Sequence, residues 1–347
     1  MSTQQPSHVA QMQEQSLVTE VTEVFQSLEI HNSHPQYKPL SGIRKWIRYA
    51  WYPTIDIISL IGAIAAIASF LDQGISLVDL GILLFMFNFI GLGGEAGMHR
   101  LFAHKSYKVA KPLRILLALA GSMVGEAPIL EYAAYHRCHH IYADHEGDLH
   151  SPHYFEAEKP WAKLRNVWHA FFGWKYNPKT NQIASPERYA KDLLAEPEIV
   201  TINNYFYSIV LASFFLPALL GFLFTGTGYG AWTAFLWGGC FRFCVMTLMG
   251  DLIIRAGCHL FGTRPFVDQA NSQSTNIWFL AIPSLGLSWH NNHHAFPGSA
   301  LLNIDWWQID PSGSFITLLE KLGLAWNVKR PTPEQVKAKR VNPGIVG

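Results

Sequence analysis

The histidines of this 347-residue chain are numerous and unevenly placed: there are 16 of them, against only 4 cysteines. Eight fall into three close groups. His99 and His104 bracket the run His-Arg-Leu-Phe-Ala-His, His136, His139 and His140 form His-Arg-Cys-His-His, and His290, His293 and His294 form His-Asn-Asn-His-His. A ninth, His259, stands alone. On a helix, positions i, i+3 and i+4 share one face, so each triplet can aim its imidazoles at one point. His99 and His104 lie about 140° apart on a regular helix and converge only where the helix ends or distorts. Neutral imidazole ligates iron, zinc and copper. Eight or nine exceed the three or four that one zinc ion takes, so the pattern implies two metal ions. An all-nitrogen, two-metal site beside a membrane suits redox iron that activates dioxygen. Isolated His8, His31, His34 and His169 read as ordinary surface or core residues.

The elements that must position these groups are apolar. The chain is 49% hydrophobic, roughly 57% once its 27 glycines are added, against 45–50% in soluble domains. Charged residues are only 15%. A net charge of +1 argues against a nucleic-acid partner. Four stretches suit membrane spans: 55–71, 77–98, 205–224 and 231–254. The short first one can borrow from residues 50–54, where Trp51 and Tyr52 suit an interfacial belt. The turns at 72–76 and 225–230 contain no Lys or Arg. Of the 26 basic residues, 4 precede the first span, 13 lie in 99–204 and 8 from Arg255 onward. These regions share one side by parity, and the positive-inside rule makes that side cytoplasmic. The expected fold is an all-α integral membrane protein. Two helical hairpins carry a helical cytosolic cap (99–204 and 255–330), with both termini and the metal site cytoplasmic. Residues 38–331 form the membrane domain, 1–37 a polar tail and 332–347 a C-terminal tail.

A fifth apolar stretch, 113–130, contains Glu126 and Pro128 and reads as a buried or interfacial helix. The N-terminal 37 residues do not read as a signal peptide; within them, 17–30 could form a short amphipathic helix. Cys138, Cys240, Cys244 and Cys258 read as free thiols.

The three histidine groups resemble the histidine boxes of the membrane fatty acyl desaturases, and most nearly the stearoyl-CoA (Δ9-type) branch with its bacterial and plant relatives. The similarity runs from about Trp46 to Pro331 and includes Asp144, Asp148-Leu-His150-Ser-Pro and Trp306-Trp307-Gln-Ile-Asp310. It implies a four-span stem under a cap that holds two irons on nine histidines: His99, His104, His136, His139, His140, His259, His290, His293 and His294. It also implies an acyl chain in a bent tunnel, O2 as co-substrate and a cis double bond as product. The acyl carrier is CoA, acyl-carrier protein or a lipid. The electrons come from ferredoxin or cytochrome b5, expected as a separate protein because no cytochrome, flavin or nicotinamide motif is evident. An unactivated methylene demands a metal-centred oxidant, and the protein positions it.

Two residues depart from the family pattern. Arg255 stands where Asn is usual, four residues before the lone ligand, and Glu95 where Thr is frequent, four before the first box. They could form a compensating ion pair. Glu95 could instead orient His99 or ligate metal, or both could snorkel to water. Asp144, His145, Asp148, His150 and His153 are expected either to support the ligands, to meet the thioester headgroup, or to make ordinary cap hydrogen bonds. Lys105, Lys108, Lys111 and Arg114 could meet substrate or lipid phosphates. Arg242, inside the fourth span, should face the protein interior. Alternative readings are a diiron acyl hydroxylase or acetylenase on the same scaffold, a His-rich metal transporter, which would want more polar spans, and a zinc hydrolase, for which nine imidazoles are excessive.

Overall fold

A computed structural model of the protein describes residues 42–156, 159–177 and 183–341. The expected helix at 17–30 and the N-terminal tail lie outside them. Among the described residues, four helices are long and apolar enough to cross a membrane: Lys45–Gln73, Leu77–Ala103, Phe206–Thr225 and Gly228–His259. All four expected spans are present, and three run longer than their apolar cores. The first helix starts at Ile43, a turn and more of amphipathic sequence ahead of the apolar run. The second and fourth continue past Met98 and Ile254, carrying His99 and His259 on their own ends rather than in loops beyond them.

Each hairpin turn is closed by local chemistry. Ser76 caps the second span by accepting from Asp79 N at 3.0 Å, and buried Asp79 accepts from Thr233 Oγ1 of the fourth span, also at 3.0 Å. Gly226 ends the third span in the left-handed region (φ 67°), as glycine permits, and Thr227 caps the helix that follows. Arg242 does face the interior, fully buried and donating to Gly238 O, Ser213 O and Ser213 Oγ. The outward faces of the spans, including Ile57, Ile61, Leu84, Phe85, Phe215 and Leu219, are exposed and apolar, as a lipid-facing surface requires.

The stretch 113–130 does not cross. It divides into helix α1 (Lys111–Ser122), a loop, and the start of helix α2 (Ile129–Tyr142); twelve residues are too few to span hydrocarbon. Helix α1 lies directly against the second span, where Gly93 and Gly121 leave no room for a Cβ on either side. The cap also contains α3 (Pro160–Phe171), α4 (His290–Ala295), α5 (Pro311–Lys321) and α6 (Pro333–Lys339). Strands β1 (Lys108–Val109) and β2 (Ala325–Trp326) pair antiparallel with Lys108 opposite Trp326. The four cysteines are free.

The C-terminal region corrects an expectation. Residues 332–341 are not a tail: Thr332 and Gln335 form a capping box at the start of α6. Val336 packs on Phe266 and Phe296, and Arg340 pairs with Asp305 at 2.7 Å. Pro333 sits in the first turn of α6, where its missing N–H costs nothing.

Candidate metal centre

The second span becomes π-helical over Gly93–Ala103. In that geometry bonds run from i to i+5, and His104 N donates to His99 O at 3.1 Å. Residues five apart therefore stack on one face, and the two rings come within 5.0 Å. This is the distortion that the His99–His104 spacing demanded. Helix α2 supplies His136, His139 and His140 with the expected i, i+3, i+4 geometry, its other face buried through Leu130, Ala134, Tyr135 and Cys138. Helix α4 is six residues long and wholly buried, too short to be stable alone. The two asparagines inside His-Asn-Asn-His-His hold it. Asn291 exchanges hydrogen bonds with the Phe266 backbone at 2.9 and 3.0 Å, and Asn292 donates to Leu302 O and Gln308 Oε1, both at 2.8 Å.

All nine histidines converge, in two groups. In the first, His99 faces His293 at 3.0 Å, His104 faces His136 at 2.6 Å, and His140 lies 3.0 Å from His136 and 2.8 Å from His293, each distance Nε2 to Nε2. In the second, His259 faces His290 at 2.9 Å, His290 faces His294 at 3.1 Å and His294 faces His139 at 3.3 Å. Three carboxylates hold the outer nitrogens. Glu95 lies 3.1 Å from His99 Nδ1, Asp148 3.0 Å from His139 Nδ1 and Asp144 2.6 Å from His259 Nδ1. A proton on each of these Nδ1 atoms leaves the inward Nε2 with a lone pair. Burial first, then crowding by neighbouring imidazoles, lowers the pKa of His104, His136, His140, His290, His293 and His294 well below the ordinary value. They are held neutral. Burial also acts against charge on His139, but the Asp148 carboxylate outweighs it and raises this one imidazole. Burial would raise Asp144, yet His259 beside it holds its carboxyl below the usual range. Two sets of imidazole nitrogens converging at these separations are a donor set for two cations.

The proposed Glu95–Arg255 ion pair does not form. Glu95 turns to His99, and Arg255 pairs with Asp251 one turn before it and with Glu126 from the loop after α1. Lys175 donates to Asp251 at 2.5 Å from the other side. The i, i+4 spacing of Asp251 and Arg255 was visible in the sequence as a closer partner for the arginine; Glu126 and Lys175 carried no such signal. His150 is buried between His139 and Trp174, at ring distances of 4.5 and 5.2 Å. His153 and His145 make ordinary bonds to the His259 and Ala270 carbonyls. The basic cluster is already paired: Lys105 with Asp192, Lys111 with Glu198 and Arg114 with Glu196; Lys108 is exposed on β1.

Sequence reasoning missed two arginines inside the histidine motifs. Arg100 makes a bidentate bond to Asp310 at 2.7 and 2.9 Å and donates to Ala300 O. Arg137 does the same with Asp192 at 2.6 and 3.0 Å and reaches three backbone carbonyls. Each ties a ligand-bearing helix to a distant part of the cap with a fork that only arginine offers.

Beside the histidines lies a cavity of about 140 Å³. Phe87, Gly91, Met98, Phe243, Met246 and Leu285 line it with apolar surface, while Glu126, Lys175, Asp251 and Arg255 form a charged wall.

A profile of the fatty acid desaturase family matches residues 75–311. The chain is a member of that family. It is accordingly an oxidoreductase acting on acyl chains and a membrane protein. It is similar to the hex-5-enoyl-[acyl-carrier protein] acetylenase of Moorena producens (strain JHB), at 38% identity over 82% of this chain and 88% of the relative. The sn-1 stearoyl-lipid 9-desaturase of Anabaena variabilis is 31% identical over 82% of this chain and 96% of its own length. Human stearoyl-CoA desaturase 5 is 29% identical over 75% of each chain.

Proposed function

We propose that this desaturase-family enzyme uses two iron ions and O2 to introduce unsaturation into an acyl chain seated in the cavity. The observation that carries the reading is the pair of buried imidazole groups opening onto an apolar cavity between the second and fourth spans. When bound, the metal pair supplies an oxidant that takes two hydrogens from adjacent carbons, while O2 is reduced to two waters with two further electrons and two protons. His99, His104, His136, His140 and His293 would hold one ion, and His139, His259, His290 and His294 the other. Glu95, Asp148 and Asp144 fix the ring orientations of three ligands. The apolar lining seats the chain and excludes water. Electrons arrive from a separate ferredoxin or cytochrome b5, and the cap with both termini lies in the cytoplasm.

Cis desaturation of a saturated thioester or lipid-linked chain, Δ9-type in position, is the first reading. The second is acetylenic-bond formation on a carrier-protein thioester, favoured by the 38% identity to an enzyme named for that reaction. The charged wall at Arg255, where the Δ9 branch has Asn, keeps it in view. Expression in cells followed by methyl-ester analysis of both lipid and thioester pools tests the proposal, with His139→Ala as control. A new cis double bond absent from the control supports the first reading, and a new triple bond the second. An unchanged acyl profile with zinc bound overturns both.

A further inference from the structure

The segment 277–289 carries a surface that the metal centre does not use. From Gln269 to Ile304 the chain holds no Asp, Glu, Lys or Arg. Trp278, Phe279 and Ile282 nevertheless expose 66, 65 and 61% of their surface. The opposite side of the segment closes the cavity through Pro283, Ser284, Leu285 and Leu287. The backbone is tied at several points: Ile277 N to Ser288 O at 2.9 Å, Gly286 N to Ala281 O at 2.8 Å, and Ser312 N to Leu285 O at 3.3 Å. Gly286, at φ 98°, lies so close to Asp310 that a Cβ would not fit. The exposed residues therefore stand on a braced strap.

The depth of this strap is set by its inner leucine. Leu285 packs on Gly91 of the second span and beside Met246 of the fourth, with no room left for a Cβ on Gly91. Gly91 precedes His99 by eight residues, so the contact lies roughly 12 Å along the span from that ligand, on the side away from the cap. The same span exposes Leu84 and Phe85 to its surroundings. Three large exposed apolar groups, on a charge-free segment whose inner side packs against a membrane span, match hydrocarbon rather than water.

We propose that residues 278–283, one short 3-10 turn followed by a loop, form a lipid-contacting surface: a strap set into the edge of the bilayer, with acyl tails on its outer side and the cavity on its inner side. Backbone outside an α-helix is tolerated at this depth where its polar groups bond within the protein, as Leu280 N does to Ile277 O, Ala281 N to Trp278 O and Ser284 N to Leu280 O. The inference rests on the four helices crossing a bilayer and is independent of the reaction proposed above.

Nitroxide accessibility in lipid nanodiscs tests it on the full chain. Phe279→Cys and Ile282→Cys are labelled separately, with Phe85→Cys as the lipid reference and Lys337→Cys as the water reference. The unsubstituted chain sets the background from partly buried Cys244. The expected result is strong collision with O2 and weak collision with a water-soluble nickel chelate at both strap positions, matching Phe85→Cys with a several-fold higher ratio than Lys337→Cys. Chelate collision equal to that at Lys337→Cys overturns the proposal, as does protection from both reagents, which would mean a protein partner covers the strap. Size exclusion and the thermal midpoint of each variant identify any that fail to fold, and the other strap position then decides.

Discussion

Three carboxylates at the metal centre act through the histidines they touch. Asp148 lies 3.0 Å from His139 Nδ1 and also accepts from Asp144 N at 2.9 Å, so it fixes both a ring and the turn beside it. Asp148→Asn should lower metal affinity by about 10–100-fold, read as metal content by mass spectrometry after dialysis, with the fold retained. Arg255 poses a different question. Its guanidinium is the shared partner of Asp251 and Glu126. Arg255→Asn leaves buried carboxylate behind and should cost about 3 kcal/mol of stability, measured as the denaturation midpoint in detergent. Adding Glu126→Gln should recover part of that loss, because one uncompensated charge is removed. Equal losses in the single and double variants would show that the pairing is not what Arg255 contributes. Of the alternatives for Glu95, the structure shows the contact with His99 rather than the pair with Arg255, because Asp251 lies one helical turn from the arginine and His99 one turn from Glu95.

At the scale of elements, the helices that carry the ligands are each pinned by an arginine or an amide. Arg100 locks the π-helical end of the second span to Asp310, and Arg137 locks α2 to Asp192. Burial would raise the Asp192 carboxyl, but Arg137 and Lys105 together hold it down at about 2. The sign follows directly. A carboxylate lowered in the folded state contributes stability above its unfolded value near 3.8, and that contribution disappears as pH falls through about 2. Asp192→Asn should therefore unfold more readily than the parent protein at pH 7. The gap should narrow steadily between pH 4 and pH 2, followed by thermal scans of the metal-free protein. A gap independent of pH would rule the charge out. The short α4 makes the same point without charge, since Asn291 and Asn292 do for it what length does for α2.

Across the whole molecule, ligands come from the ends of two spans, from α2 and from α4, which are far apart in sequence. A cation bridging them favours the folded state over the unfolded chain. Chelation should lower the thermal midpoint, and ferrous iron should restore it, with a difference of about 2.7 kcal/mol at a hundredfold excess over the dissociation constant. Most of this architecture was legible in the chain itself. The apolar runs announced four spans because hydrocarbon tolerates little else, and the i, i+3, i+4 spacing on α2 and α4 announced shared faces because helix geometry is local. The motifs also sufficed to indicate the family. What required the tertiary structure was every long-range pairing: which histidines share a group, that Arg255 meets Glu126 and Lys175 meets Asp251, that residues 332–341 pack rather than trail, and that Leu285 reaches Gly91. Spacing along a helix is fixed by the backbone, and so one-dimensional reading recovers it. Partners 76, 129 or 194 residues apart are chosen by packing and charge compensation, which exist only once the chain has folded.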